Sequence, residues 1–228
     1  MKVNFFDRLF INLPTDWQTL LDEIMHGINP SYVIIEKMKN EGIIEEPYDT
    51  HTLKVFKPIF EALPILYKVG VKVFCYRDKS YHKASHNFIN EILIMTLNAR
   101  LGKINPERWR EVIKEDVRLN LECCKRDGEY IITRAKDVNV CLDASDDLLA
   151  YLKDAGFKIE KVELDRSYKP LDILWSKIRD EVLYGIRVSS EEIVELVKDH
   201  VIFTDLLLVK DFESAYEVWK GLKGVDKV

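Results

Sequence analysis

Short apolar runs alternate with amphipathic stretches along most of this chain. Residues 3–12 carry Val3, Phe5, Phe6, Leu9, Phe10 and Ile11 and read as a strand. Leu13-Pro14 turns the chain, and Thr15 or Asp16 stands where a helix N-cap belongs. Trp17, Leu20, Leu21, Ile24 and Met25 then recur with helical spacing until Gly27 and Pro30. Two further runs, Ser31-Tyr32-Val33-Ile34-Ile35-Glu36 and Val71-Lys72-Val73-Phe74-Cys75-Tyr76-Arg77-Asp78, are almost continuously apolar and end in charge. Unbroken apolar runs are the pattern of parallel strands covered on both faces. Between them, residues 37–51 are polar and irregular, and a helix is expected up to Lys68, with Pro58 near its start and Pro64 interrupting it.

The second half continues the alternation. Residues 83–101 are apolar nearly all round and predict a buried helix. Asn105-Pro106 opens another, with Trp109, Ile113, Val117 and Leu121 at four-residue spacing. Asp127-Gly128 reads as a turn between this helix and short strands at 129–133 and 138–142. Ser145 caps a helix that Gly156 ends, and 157–164 reads as a further strand. The tail is helical: Leu171 to Val182 forms one helix, and Ser189-Ser190-Glu191-Glu192 is a capping box for the next. A short strand is expected at 206–209, and Phe212, Tyr216, Trp219 and Leu222 form a last amphipathic helix. Strand–helix alternation of this kind predicts an α/β fold with a central, mostly parallel sheet, flanking helices and a helical C-terminal tail. The expected division is an α/β core domain over residues 1–166 and a helix-rich extension over 167–228, packed on the core.

The strand pattern directs the search for chemistry. In open α/β sheets, ligands bind outside the carboxyl ends of the strands. Glu36 and Asp78 therefore stand out as two carboxylates ending neighbouring runs, able to share a metal or to divide acid and base roles. Arg77 beside Asp78 suits a ligand carboxylate or phosphate. The 37–51 stretch, with Glu45, Glu46, Tyr48, Asp49 and His51, would overhang the same crevice as a binding loop. His82 and His86 are four apart, which places both imidazoles on one helix face, as in helical metal sites. No general base lies between them, since Lys83, Ala84 and Ser85 fill the gap. A divalent metal is the one cofactor this set suggests. The chain has no G-x-S-x-G, Walker A or G-x-G-x-x-G motif.

Composition narrows the classes. The 228 residues carry a formal charge of −5, which argues against a general nucleic-acid binder. No stretch approaches the roughly 18 apolar residues of a membrane span, and the start Met1-Lys2-Val3-Asn4-Phe5-Phe6-Asp7-Arg8 carries charge too early for the apolar core of a signal peptide. A cytoplasmic protein with reduced, buried thiols is expected, because Cys75, Cys123, Cys124 and Cys141 form no C-x-x-C pair. Gln18 is the sole glutamine among abundant Lys and Glu, a bias associated with hyperthermophile proteins.

The order of elements from Trp17 to Asp78 resembles the TraB/EreA/ChaN-like family, with Pro30-Ser31-Tyr32-Val33-Ile34-Ile35-Glu36 in place of its P-x-x-V-x-x-E strand and Val71–Asp78 in place of its next strand. Residues 138–164 resemble its late strand–helix–strand unit. The Gly-x-x-His elements of the family are replaced by Leu13-Pro14-Thr15-Asp16 and Leu142-Asp143-Ala144-Ser145, so only Glu36 and Asp78 carry over. The resemblance implies metal-type chemistry among the relatives and, with those elements replaced, a divergent or inactive member here. Two functions are expected from the whole chain. One is a binding or regulatory protein for a small-molecule or protein ligand, self-associating through a helical tail that exposes Tyr216 and Trp219. The other is a metal-dependent hydrolase-like enzyme using Glu36 and Asp78.

Overall fold

The structure, a computed structural model, describes residues 6–27, 30–45, 48–163 and 168–223. Glu46 lies outside them. Tyr48 and His51 are described as backbone only.

The fold is α/β. Among the described residues the sheet has three strands, β1 (Arg8–Pro14), β2 (Lys72–Arg77) and β3 (Asn139–Cys141), in the order β2-β1-β3 and all parallel. Parallel neighbours need crossovers. Between β1 and β2 these are α1 (Gln18–Met25), α2 (Ser31–Asn40) and α3 (Tyr48–Lys68). Between β2 and β3 run α4 (Lys79–Arg100) and α5 (Pro106–Ile132). After β3 come α6 (Asp146–Asp154), α7 (Pro170–Tyr184), α8 (Ser190–Leu207) and α9 (Phe212–Lys223).

The chain packs as two units that interleave along the sequence. One comprises 1–83 and 121–159, the other 84–120 and 160–228. The helical tail thus shares a unit with the middle of the chain rather than standing alone from residue 167.

In the first unit the sheet is the middle layer. Leu9, Ile11 and Leu13 of β1 and Val73 and Cys75 of β2 enter a core with Trp17, Leu20, Ile24, Ile34, Met38, Phe56, Phe60 and Leu63. Phe10 and Tyr76 point the other way, into a core with Cys124, Ile131, Leu148 and Leu152 of α5 and α6. Burial on both faces is what the unbroken apolar run of β2 announces. The lone Gln18 closes backbone groups of β2: its Nε2 donates to Val73 O at 3.1 Å and its Oε1 accepts from Cys75 N at 2.8 Å. These are strand-like bonds supplied by a side chain to a strand at the sheet edge.

Four of the strand expectations are corrected. Residues 32–35 lie in helix α2, where Ile34 and Met38 bury one helical face while Tyr32, Val33 and Glu36 stay exposed. Glu36 therefore does not end a strand. The cause is length: a four-residue apolar run fits either a buried strand or one stripe of a helix. Residues 129–133 belong to the end of α5 and the turn after it. Residues 157–163 have no regular structure, with Leu164 outside the described residues, and 206–209 form the end of α8 and a turn. Asp127-Gly128 is no turn either but the interior of α5. A Cβ on Gly128 would meet Tyr151 ring carbons of α6 at 2.3 and 2.6 Å, so the glycine serves close packing, not chain reversal. α3 starts ten residues before Pro58 and continues past Pro64. Each proline removes one backbone bond, and the buried stripe Leu53, Phe56, Phe60 and Leu63 offsets that loss. All four cysteines are thiols, with Cys75, Cys123 and Cys124 buried.

The second unit is helical. Asn105 Oδ1 accepts from Arg108 N at 3.1 Å and Ser189 Oγ from Glu192 N at 3.1 Å, so both caps stand where the sequence put them. Arg110, almost wholly buried, donates to Val188 O and lies 3.5 Å from Glu181, which Lys114 also meets at 2.7 Å. This clamps the α7–α8 turn to α5. Trp219 is buried against Phe203 and Ala215, so the face expected to be open for partners is the inside of the α8–α9 hairpin. α4 is not buried all round: Ile89, Leu93, Leu97 and Leu101 form an exposed row at four-residue spacing. Buried His200 donates from Nε2 to Thr96 Oγ1 (3.1 Å), whose own proton goes to Ile92 O (2.7 Å), and Trp109 stands edge-on to the imidazole. Burial, with Lys169 and Arg100 nearby, holds the His200 pKa down to about 4.

Two outcomes are expected. Gly128→Ala destabilises by about 1–3 kcal/mol in urea unfolding, because the methyl group overpacks the Tyr151 ring, and Gly128→Ala/Tyr151→Ala recovers most of the loss. His200, ordinarily near 6.5, stays neutral in the folded chain down to about pH 4. Below 6.5 the unfolded chain takes up this proton first, so up to about 3 kcal/mol of stability is lost as pH falls from 6.5 to 4. The difference in unfolding free energy between wild type and His200→Gln, followed over that range, should report this loss.

Candidate functional site

The carboxyl ends of β1 and β2 lie side by side, and the chain leaves each into a helix or helical turn. From β1 it enters the turn Thr15–Trp17, and from β2 it enters α4. α3 precedes β2 by a short turn and runs against it, so the start of α3 comes to the same end of the sheet. There Asp49 Oδ1 lies 2.9 Å from His82 Nε2.

Asp49 faces inward. It is in register with Leu53, Phe56 and Phe60, the core-facing stripe of α3, and its carboxylate side chain is only 1% exposed. Its second oxygen, Oδ2, accepts the Glu45 backbone N–H at 2.7 Å, a bond across the helix start that also satisfies the positive end of α3. A buried carboxylate must be paired to be tolerated. His82 is one such partner, and the ring of fully buried Trp17 stands edge-on to its imidazole, with centroids 5.7 Å apart. His86 is buried one helical turn beyond His82. The division between the two units falls after Lys83, but α4 runs through it unbroken, so the helix itself sets His86 beside His82. One ligand-type atom from each of Asp49, His82 and His86 lies within 4.8 Å of the other two.

A second polar cluster surrounds Asp78. This carboxylate is the N-cap of α4: Oδ1 accepts from Ser80 N at 2.8 Å and Tyr81 N at 3.4 Å, and Oδ2 from Arg126 Nε at 2.8 Å. Burial pushes its pKa up, but the Ser80 and Arg126 hydrogen bonds outweigh that and hold it at about 2. The backbone N–H of Asp78 donates to Asp127 Oδ1 at 2.8 Å, and Arg77 Nη1 meets Asp127 Oδ2 at 2.8 Å. The Arg77 guanidinium also lies over the Tyr81 ring, 3.8 Å from its centroid. Asp127 is 1% exposed, and burial raises its carboxyl pKa against the pull of Arg77. The cluster ties β2, the first turn of α4 and α5 together.

The structure thus brings together three of the residues singled out from the sequence, Asp49, His82 and His86, and holds Arg77 and Asp78 in a neighbouring ion-pair network. Glu36 is exposed on α2 and Glu45 is exposed ahead of α3, contributing its backbone N–H. The pairing of Glu36 with Asp78 at two strand ends is corrected, because only Asp78 follows a strand. Trp17, Asp127 and Arg126 were not foreseen. Asp127 had a signal, since it extends the Trp109–Ile113–Val117–Leu121 stripe of α5 by about two turns and so stands on the buried side.

Asp78→Ala should destabilise by about 1–2 kcal/mol through the lost cap and ion pair. A carboxylate held near 2, against an ordinary 3.8, contributes its stability above pH 4 and loses it as pH falls toward 2. Denaturant unfolding of wild type and variant should therefore converge below pH 4.

No helix among the described residues is long and apolar enough to cross a membrane. No protein-family model matches the chain, and no curated protein or solved structure matches it.

Proposed function

We propose that this chain is an α/β protein with a binding or regulatory role, whose ligand site lies at the carboxyl end of the parallel sheet around Asp49 and His82. The observation that carries this reading is the Asp49–His82 pair itself: a carboxylate on the core-facing stripe of α3, 2.9 Å from an imidazole on the first turns of α4. A carboxylate there costs stability relative to an apolar residue, and such costs concentrate at sites kept for function. The place agrees with the strand-end rule for open α/β sheets. His82, with 19% of its side chain exposed, gives the site access to solvent.

A hydrolase reading built on Glu36 and Asp78 draws no support from their placement, since one is exposed on α2 and the other is engaged as the α4 cap. Kinship with the TraB/EreA/ChaN-like proteins enters this proposal only through Asp78, because the segment aligned with the family's strand forms α2. A cytoplasmic location and self-association belong to the same reading. The surface that favours a second copy is the exposed row Ile89, Leu93, Leu97 and Leu101, rather than Tyr216 and Trp219.

The test is a thermal-shift screen of the purified protein against nucleotides, carboxylates, phosphates, amines and divalent metals. A ligand at 100 times its dissociation constant adds about 2.7 kcal/mol of stability. At least one class should raise the melting temperature of wild type and of Glu36→Ala, and should fail to raise that of Asp49→Asn. A shift that survives unchanged in Asp49→Asn, or no shift from any class, overturns the reading.

A further inference from the structure

We infer that the ligand of this site is a divalent transition metal of the zinc class, held by Asp49, His82 and His86. The inference rests on the proposed strand-end site and names what it binds. A carboxylate–imidazole pair alone would need one histidine. Here a second imidazole, buried and one turn along the same face of α4, turns toward the same point, and the three donor atoms lie within 4.8 Å of one another. Donors bound tetrahedrally at about 2.1 Å from a metal are roughly 3.4 Å apart. The Asp49–His82 separation of 2.9 Å opens slightly to admit the ion, and the widest separation closes by small side-chain rotations.

The donor types select the metal. Two nitrogens and one carboxylate oxygen suit zinc, cobalt, nickel, copper or ferrous iron, and they disfavour calcium and magnesium, which take oxygen ligands. Each histidine binds as a neutral imidazole through a lone pair. His82 Nε2 binds the ion without a proton, and any proton it carries beforehand moves to the other ring nitrogen or to solvent. Two neutral imidazoles and one carboxylate leave a divalent ion with a net positive charge. Three protein donors also leave a fourth position open. That position takes water or a small anion such as a carboxylate, reached from the exposed side of His82. Glu45 N–H fixes the carboxylate by bonding Asp49 Oδ2, leaving Oδ1 for the ion, as outer partners do in protein metal sites.

The experiment strips the full-length protein with a chelator, dialyses it against zinc or cobalt, and measures metal per chain after desalting. One equivalent is expected for wild type and for Glu36→Ala. Asp49→Ala, His82→Ala and His86→Ala should each weaken binding by at least about 100-fold, beyond the effect of losing an outer partner. Circular dichroism of each variant establishes whether it is folded. His86→Cys covers the case in which the alanine variants fail to fold: its cobalt form should gain a thiolate-to-cobalt charge-transfer band that wild type lacks. Absence of stoichiometric metal in wild type, full affinity in folded His86→Ala, or no thiolate band in cobalt-loaded His86→Cys would each overturn the inference. If metal fails to bind while an organic ligand still shifts the melting temperature in an Asp49-dependent way, the inference falls and the strand-end site stands. If neither binds, both fall.

Discussion

The first unit depends on one constraint, the burial of β1 on both faces. As the middle strand of a parallel sheet it has backbone partners on each side, β2 and β3, and side chains that alternate between two apolar layers. Leu9, Ile11 and Leu13 go to the α1–α3 layer and Phe10 to the α5–α6 layer. A slip of one residue in its pairing would exchange those sets and put every side chain in the wrong core. β2 pairs with β1 in the parallel sense. The three helices of the crossover must cover one face of the sheet, and their ends must meet at one edge of it.

That meeting creates the candidate site. A helix that leads into a parallel strand begins at the strand's carboxyl end, and the helix that follows the strand begins there too. α3 and α4 flank β2 in this way, so Asp49 and His82, which are 33 positions apart in the chain, become neighbours. The same geometry explains the two treatments of carboxylate in this small region. Asp78 caps α4 at its edge, where Ser80, Tyr81 and Arg126 keep it ionised and partly solvated. Asp49 sits on the apolar side of α3, where the Glu45 amide and the imidazole of His82 meet its oxygens. The first caps a helix at the edge of the core, and the second, besides bonding across the start of α3, meets an imidazole of the next helix along the chain.

Much of the fold was legible in the chain. Strand β2, the caps at Asn105, Ser145 and Ser189, and the α/β class all follow from runs, periods and cap residues that act over a few positions. The failures share a physical cause. Tyr32 to Ile35 offered four apolar residues, too few to reveal a period, and the partner that decides is the α1–α3 core that buries Ile34 and Met38. Gly128 looked like a turn because glycine usually serves the backbone. Here it serves the Tyr151 ring, which is 23 residues away and invisible to local reasoning. Pro58 and Pro64 looked like a helix start and a break, yet α3 accepts both because its stripe Leu53, Phe56, Phe60 and Leu63 is buried.

The sequence alone determined the class of fold, the strand-end region as the place to look, and the shared face of His82 and His86, because a four-residue spacing has one meaning on a helix. Only the tertiary structure decided which carboxylate joins them. Glu36 and Asp78 had the more prominent positions in the chain. Asp49 was one acid among several in a polar stretch, and what sets it apart is the direction of its side chain. That direction is fixed by packing of α3 against the sheet, through contacts between residues far apart in sequence, and no local pattern encodes it.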